Sequence, residues 1–210
     1  LATSQRSWER FTRVWAADVG LTVFTGLLAL EIFVVSPLAS LGVFGNWSFD
    51  SAFSLLLLWG AFALHPGRML RVLVGVCVGL AVGLRWAANW TPIPWIAAAG
   101  SLLAVVTLGC FAAIVLKRVF ETGPVTSHRI HGAVCAYLLF GLMWAAAYAF
   151  AAQTLLRPFS AATDAVDSQA VIAHFVYFSF VTLTTVGYGD ITAVHPLART
   201  LVIVEALTGQ

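Results

Sequence analysis

The chain is built from apolar runs, each about as long as a helix that crosses a lipid bilayer. Of its 210 residues, 60% are hydrophobic and only 10% are charged, whereas a soluble domain carries about a quarter charged residues. One helical crossing needs about 20 apolar residues, and we predict helices at about 17–38, 50–65, 69–87, 93–116, 130–156 and from Pro196 onward. Because backbone polar groups in lipid must be satisfied within the element, these runs predict an all-α integral membrane protein.

The basic residues are distributed unevenly between the two ends of these helices. With the N-terminus in the cytoplasm, three of the eleven Lys and Arg residues fall on the outer side: Arg85, Arg157 and Arg199. The other eight fall on the cytoplasmic side: Arg6, Arg10, Arg13, Arg68, Arg71, Lys117, Arg118 and Arg129. This excess agrees with the positive-inside rule and predicts a cytoplasmic N-terminus in the plasma (cell inner) membrane. Residues 1–16 combine arginines with aromatic residues, which is typical of a helix at the membrane surface.

A glycine-rich segment, Thr184-Thr185-Val186-Gly187-Tyr188-Gly189-Asp190, lies between the last two apolar runs. Gly187 and Gly189 can adopt positive φ at little steric cost, which allows successive backbone carbonyls to point toward one axis. Such carbonyls can replace the hydration shell of a potassium ion, and Thr185 adds a side-chain hydroxyl. Val186 and Tyr188 would then point away from the axis. The alternative is a simple turn, since clusters of Gly and Asp commonly form turns.

Residues of about 130–210 resemble the pore module of tetrameric potassium channels of bacteria, on the strength of the Thr-Val-Gly-Tyr-Gly peptide. The resemblance implies six transmembrane helices, with a re-entrant pore helix at about 170–184 and the selectivity filter between the fifth and the sixth. It also implies where the permeant K+ binds. The implied ion-binding residues are Thr185, Val186, Gly187 and Tyr188, with Gly189 completing the filter.

The resemblance further implies a shell of residues that support the filter. Its members are Asp190, Tyr177, Phe178 and Thr184. Tyr177-Phe178 stands where many members have two tryptophans, and Tyr177 could donate a hydrogen bond to Asp190. Val181 replaces a buried glutamate of some bacterial members, and Ala193 departs from a common proline. Gly209 falls at the position of a hinge glycine and is a candidate gating hinge; the alternative is a small residue that permits close helix packing.

The stoichiometry follows from the single copy of the motif. One chain supplies one quarter of each ring of oxygens, which predicts a closed homotetramer. The predicted function is passive conduction of K+, with three further copies of the chain and the bilayer as partners, no cofactor and no nucleic acid. No arrangement of nucleophile and base suggests an enzyme. The alternatives are a transporter with a filter-like constriction and a non-conducting or regulatory membrane subunit.

The domain organisation places the pore at the C-terminal end. We divide the chain into a surface segment with four helices (1–116), a cytoplasmic linker (117–129) and a pore domain (130–210). A voltage sensor needs several arginines along one helix, and the predicted fourth helix, Ile93 to Leu116, has none. The channel is therefore predicted not to be classically voltage-gated, an atypical sensor being the alternative. Since the sequence ends at Gln210 within the inner helix, we expect that helix to continue.

Glu31, Arg85 and Glu205 fall inside predicted membrane helices, where such groups need partners. Glu31 and Arg85 lie at similar depth in the first and third helices, which predicts an ion pair between them. The alternative is that Arg85 extends to the outer interface. Glu205 in the last helix is expected behind or below the filter, either neutral and hydrogen-bonded to the pore helix or tuning the local field.

Overall fold

The computed structural model describes residues 19–41, 48–64, 68–91, 93–121, 127–160 and 168–210. The predicted surface helix at 1–16 lies outside the described residues. The described part of the chain is helical, apart from connecting segments and one isolated β-bridge between Phe159 and Ala193.

Seven helices follow one another along the described residues. They are α1 (Val19–Ser40), α2 (Ser48–Ala63), α3 (Arg68–Trp90), α4 (Pro94–Val119), α5 (Ser127–Thr154), α6 (Ser168–Leu183) and α7 (Pro196–Thr208). Four of them, α1, α3, α4 and α5, are long and apolar enough to cross a membrane. The all-α membrane architecture is thus confirmed. Because α2 and α7 are shorter, with 16 and 13 residues, the count of six crossings stays a prediction.

The first helix continues past Pro37 to Ser40, two residues beyond its predicted end at about 38. Residues Glu31–Val35 form a π-helical turn, closed by a hydrogen bond from the Ser36 N–H to the carbonyl of Glu31. In a regular α-helix a proline ring collides with the carbonyl four residues earlier, here that of Phe33. A π turn widens the helix locally, so that the chain accommodates Pro37 and remains helical to Ser40.

The ion pair of Arg85 differs from the predicted one. Its Nε donates to Oδ1 of Asp50, 2.5 Å away, and the second oxygen of Asp50 accepts a hydrogen bond of 2.6 Å from the Asn89 amide. Oε1 of Glu31 is buried and has no hydrogen-bond partner among the described residues. The predicted Glu31–Arg85 pair was wrong because α2 begins at Ser48, which puts Asp50 in its first turn, at the same end of the bundle as Arg85.

Aromatic rings complete the surroundings of this ion pair. The Arg85 guanidinium lies over the rings of Phe49 and Phe53, with its Cζ 5.2 and 4.8 Å from the two centroids. Cations are attracted to the faces of aromatic rings at such distances. The arrangement lets a charged group sit inside an apolar bundle.

Close packing of α4, α5 and α6 fixes the position of the segment that follows α6. The contact between α4 and α5 is the most extensive in the described structure, and the last turn of α1 also packs against α6. Gly141 of α5 leaves room for the ring of Phe180, since a Cβ at that glycine would come within 2.3 Å of the ring. The glycine therefore lets α6 approach the α5 backbone closely.

Candidate functional site

The segment after α6 has a backbone in which the sign of φ alternates. Thr185, Gly187 and Gly189 have φ of 60°, 56° and 80°, whereas Val186 and Tyr188 are not in the positive-φ region. In a β-strand successive carbonyls point to opposite sides, and reversing the sign of φ at every second residue removes that alternation. The predicted positive φ of the two glycines is confirmed.

Hydrogen bonds to the end of α6 show which way these carbonyls face. The N–H groups of Val186 and Gly187 both point to the carbonyl of Val181, at 3.0 and 3.2 Å, and that of Thr185 points to the carbonyl of Thr182 at 2.9 Å. In a trans peptide the N–H and the preceding C=O point in opposite directions, and the described chain has no cis peptide. The carbonyls of Thr184, Thr185 and Val186 are therefore directed away from α6.

Thr185 was missed as a residue of unusual backbone conformation. A β-branched residue at positive φ is a genuine outlier, and such strain of about 1–3 kcal/mol persists only where the surroundings impose it. Here the hydrogen bonds of Thr185, Val186 and Gly187 to the last turn of α6 impose it. The two glycines are different, since a Cβ at either would meet nothing within 4 Å. Their requirement is conformational and not one of space.

The side chains of Val186 and Tyr188 lie against an apolar groove beside α6. They are 54% and 71% exposed in the single chain. The groove has a volume of about 700 Å³ and is lined by both residues, by the face of α6 that includes Phe180, and by the last turns of α1 around Pro37. In a single chain, this groove is open at the protein surface.

Of the residues predicted to support the segment, Tyr177 lies beside it. Its hydroxyl hydrogen-bonds the carboxylate of Asp190, which raises the pKa of this phenol, and desolvation and the Asp190 charge act in the same direction. Thr184 closes the end of α6 by donating to the carbonyl of Phe180 at 2.7 Å. The described contacts of Phe178 lie in the interior, where its ring packs against Tyr148, with the centroids 5.0 Å apart. Phe178 thus supports the packing of α6.

Beyond Asp190 the chain is tied to the segment that follows α5. The Ser160 N–H donates to the carbonyl of Thr192 at 2.9 Å, and the Ser160 hydroxyl accepts from the Thr192 N–H at 3.1 Å and from its hydroxyl at 2.9 Å. The carbonyl of Pro158 accepts from the N–H of Val194 at 2.8 Å. The sequence did not predict these hydrogen bonds, because the two segments are more than thirty residues apart and neither has the alternating pattern of a strand.

The carboxyl group of Glu205 lies fully buried where α5, α6 and α7 meet. The Tyr148 hydroxyl of α5 bonds to Oε2, and the Ser179 hydroxyl of α6 is 2.5 Å from Oε1. The Ser179 hydroxyl is also 2.8 Å from the carbonyl oxygen of Gly141. The sequence left two roles open for Glu205: hydrogen bonding to the pore helix or tuning the local field. The structure shows the hydrogen bond to α6. Neither Tyr148 nor Ser179 was identified from the sequence.

Gly209 makes a close contact with the end of α6. Its φ of −81° is an ordinary helical value, so the glycine is not required for its backbone conformation. A Cβ at this position would come within 2.1 Å of the carbonyl oxygen of Leu183. Of the two roles left open for Gly209, this geometry favours that of a small residue at a tight helix contact.

These features define an integral membrane protein of apolar helices, with one short segment whose successive backbone carbonyls turn away from the supporting helix. Residues 132–210 match a protein family model described as ion channel. The match supports an ion channel family for the part of the chain that contains most of α5, α6, residues 184–189 (the carbonyl segment) and α7. No curated protein and no solved structure matches this chain.

Proposed function

We propose that the chain is the subunit of a potassium-selective channel that conducts K+ passively across the membrane. The observation that carries the proposal is the backbone of residues 184–189, in which φ alternates in sign and consecutive N–H groups turn back to α6. Such a backbone offers a column of carbonyl oxygens on one side, the donor set that replaces the hydration shell of K+. In this proposal the ion is ligated by Thr185, Val186, Gly187 and Tyr188, with Gly189 at the outer end.

The proposed channel is a homotetramer. One chain provides one oxygen to each level of the column, whereas a dehydrated ion needs several, and closed cyclic assemblies are the common way to supply them. The side chains of Val186 and Tyr188 remain largely exposed in one chain, which agrees with further burial between copies. The outer mouth faces the outside of the cell, as the distribution of basic residues indicates.

Classical voltage gating is not part of the proposal. The basic residues of α4 are Lys117 and Arg118, both in its last turn, whereas a voltage sensor carries several charges through the membrane field. Arg85 is held by Asp50 and is a single charge. We therefore propose 1–116 as a membrane domain beside the pore, 117–129 as a linker and 130–210 as the pore domain.

The test is ion flux into liposomes that contain the purified full chain. We expect uptake of K+ or Rb+ to exceed that of Na+ by about 100-fold or more, and Gly187→Ala to abolish the preference, because Ala is strained at the φ of 56°. The matched control is Gly79→Ala, since a Cβ at that helical glycine meets nothing within 4 Å. Equal passage of K+ and Na+ would overturn the selectivity, and absence of any flux would favour a non-conducting subunit.

A further inference from the structure

A second contact one helical turn away accompanies the burial of Glu205. Glu205 of α7 and Gly209, which follows its last residue with helical backbone angles, are four residues apart and lie on one face. On α6, their partners Ser179 and Leu183 are also four residues apart. Two matched contacts on the same faces of two helices fix both their separation and their register. A slip of either helix would break both contacts together.

The same stretch of α6 holds the carbonyl segment. Val181, between Ser179 and Leu183, provides the carbonyl that receives the N–H groups of Val186 and Gly187. The direction of the carbonyls of Thr185 and Val186 therefore depends on where this last turn of α6 stands. Among the described residues, the carboxyl group of Glu205 hydrogen-bonds Tyr148 and Ser179 and none of the proposed ion-binding residues. The turn that it fixes carries the hydrogen bonds that orient two of those residues.

The donors and acceptors around Glu205 indicate the protonation state in which it holds α6. The Ser179 hydroxyl has one proton and two acceptors within reach, the carbonyl of Gly141 at 2.8 Å and Oε1 of Glu205 at 2.5 Å. If Glu205 carries a proton on Oε1, it donates to Ser179, and Ser179 donates to Gly141. Tyr148 then donates to Oε2, and every close contact has one donor and one acceptor. A charged carboxylate would leave the contact between Ser179 and Gly141 without a proton.

We propose that Glu205, as a neutral carboxylic acid, is a positioning residue that fixes the register of α6 against α7, and thereby the carbonyl geometry on which ion selectivity depends. The selectivity part rests on the proposed potassium channel function. The register part concerns the fold alone and holds whichever ion passes.

Selectivity is tested by substitutions that separate the neutral acid from the charge. Gln has the shape of Glu and can donate to Ser179 while accepting from Tyr148. In liposomes or planar bilayers, we expect the K+/Na+ permeability ratio of Glu205→Gln to stay within about 2-fold of the wild type, and that of Glu205→Ala to fall about 10-fold or more. An equal loss of the permeability ratio in both variants would overturn the claim that Glu205 acts as a neutral acid. An unchanged ratio in Glu205→Ala would overturn the positioning role.

Two further variants serve as controls. Tyr148→Phe removes the hydroxyl on the α5 side and leaves the link between α6 and α7, so we expect it to keep its selectivity. Glu31→Gln changes a buried glutamate in α1, whose Oε1 has no hydrogen-bond partner among the described residues, and we expect no change in the permeability ratio. A loss in either control as large as that in Glu205→Ala would mean general destabilisation and would overturn the assignment.

The claim that Glu205 fixes the register of α6 against α7 is tested by a separate measurement, which does not require conduction. Melting temperatures are compared for Ser179→Ala, Glu205→Ala and the double variant of the full chain, which forms a double-mutant cycle. We expect the decrease in the double variant to be smaller than the sum of the two single decreases, because both single variants break the same contact between Ser179 and Glu205. Additive decreases in melting temperature would show that the two residues do not act together. That result would overturn the proposal that their contact fixes the register of α6 against α7. If the wild type passes Na+ as readily as K+ while the cycle is non-additive, only the proposed function fails.

Discussion

Gly209, the residue that follows α7, lies against the carbonyl of Leu183, the last residue of α6, so closely that a Cβ would come within 2.1 Å of the carbonyl oxygen. The glycine has an ordinary helical φ of −81°, and its N–H donates to the carbonyl of Glu205 at 3.0 Å. The contact joins the base of the carbonyl segment to the helix that follows it. Its tightness comes from two backbones meeting directly, where no flexible side chain can give way.

We therefore expect Gly209→Ala to destabilise the protein by about 2 kcal/mol, the usual cost of forcing extra volume into a packed contact. The measurement is the melting temperature in detergent, with Gly79→Ala as the control, because that helical glycine faces open space. Unchanged stability of Gly209→Ala together with an altered open probability would contradict the packing role and favour the gating hinge.

The second prediction concerns the ion pair of Arg85 with Asp50. We expect Asp50→Ala to destabilise the protein by about 3 kcal/mol, because it leaves a largely buried guanidinium without its charged partner. Glu31→Gln should cost clearly less, since Oε1 of that residue has no hydrogen-bond partner among the described residues. Both are measured as shifts of thermal unfolding. A larger loss for Glu31→Gln than for Asp50→Ala would show that Arg85 depends on Glu31.

The third prediction concerns the hydrogen bond between Tyr177 and Asp190. We expect Tyr177→Phe to loosen the outer end of the carbonyl segment, seen as a shorter duration of conduction at constant driving force. Tyr137→Phe is the matched control, because that residue is a partly exposed tyrosine of α5 outside the carbonyl segment. Equal duration in wild type and Tyr177→Phe would show that this bond does not stabilise the segment.

The pH dependence of this contact has a definite sign. The hydrogen bond to Asp190 raises the pKa of the Tyr177 phenol above its ordinary value of about 10. The stabilisation is therefore fully present below pH about 10 and is lost as the pH rises through the pKa of the folded protein. We expect the difference in conduction between wild type and Tyr177→Phe to be constant from about pH 6 to 9. A difference that vanishes within that range would contradict the assignment.

The fourth prediction concerns the tie between Ser160 and Thr192. Ser160→Ala removes two hydrogen bonds to the Ser160 hydroxyl, and we expect a loss of about 1 kcal/mol, since exposed bonds contribute modestly. Thermal unfolding measures it, with Ser40→Ala as the control, because the described bond of that exposed hydroxyl lies within its own helix turn. An equal effect of both substitutions would mean that the tie adds no stability.

Much of the architecture could be predicted because it depends on residues that are close together in the sequence. Runs of apolar residues predict helices regardless of their neighbours, and the predicted bounds of α3 and α5 lie within three residues of those in the structure. The positive φ of Gly187 and Gly189 followed from the residue type. The π-helical turn before Pro37 did not, since a proline in an apolar run predicts an end unless the surrounding helices favour a continuation.

By itself, the sequence determined the apolar spans, their likeness to a channel pore and the position of the peptide whose glycines can turn its carbonyls to one side. The tertiary structure alone decided that Arg85 pairs with Asp50, that Glu205 meets Ser179 and Tyr148, and that Gly209 abuts Leu183. The reason is physical. Backbone conformation and helical periodicity depend on nearby residues, whereas the partner of a side chain depends on the rotation and depth of each helix, which are set only when the whole bundle packs.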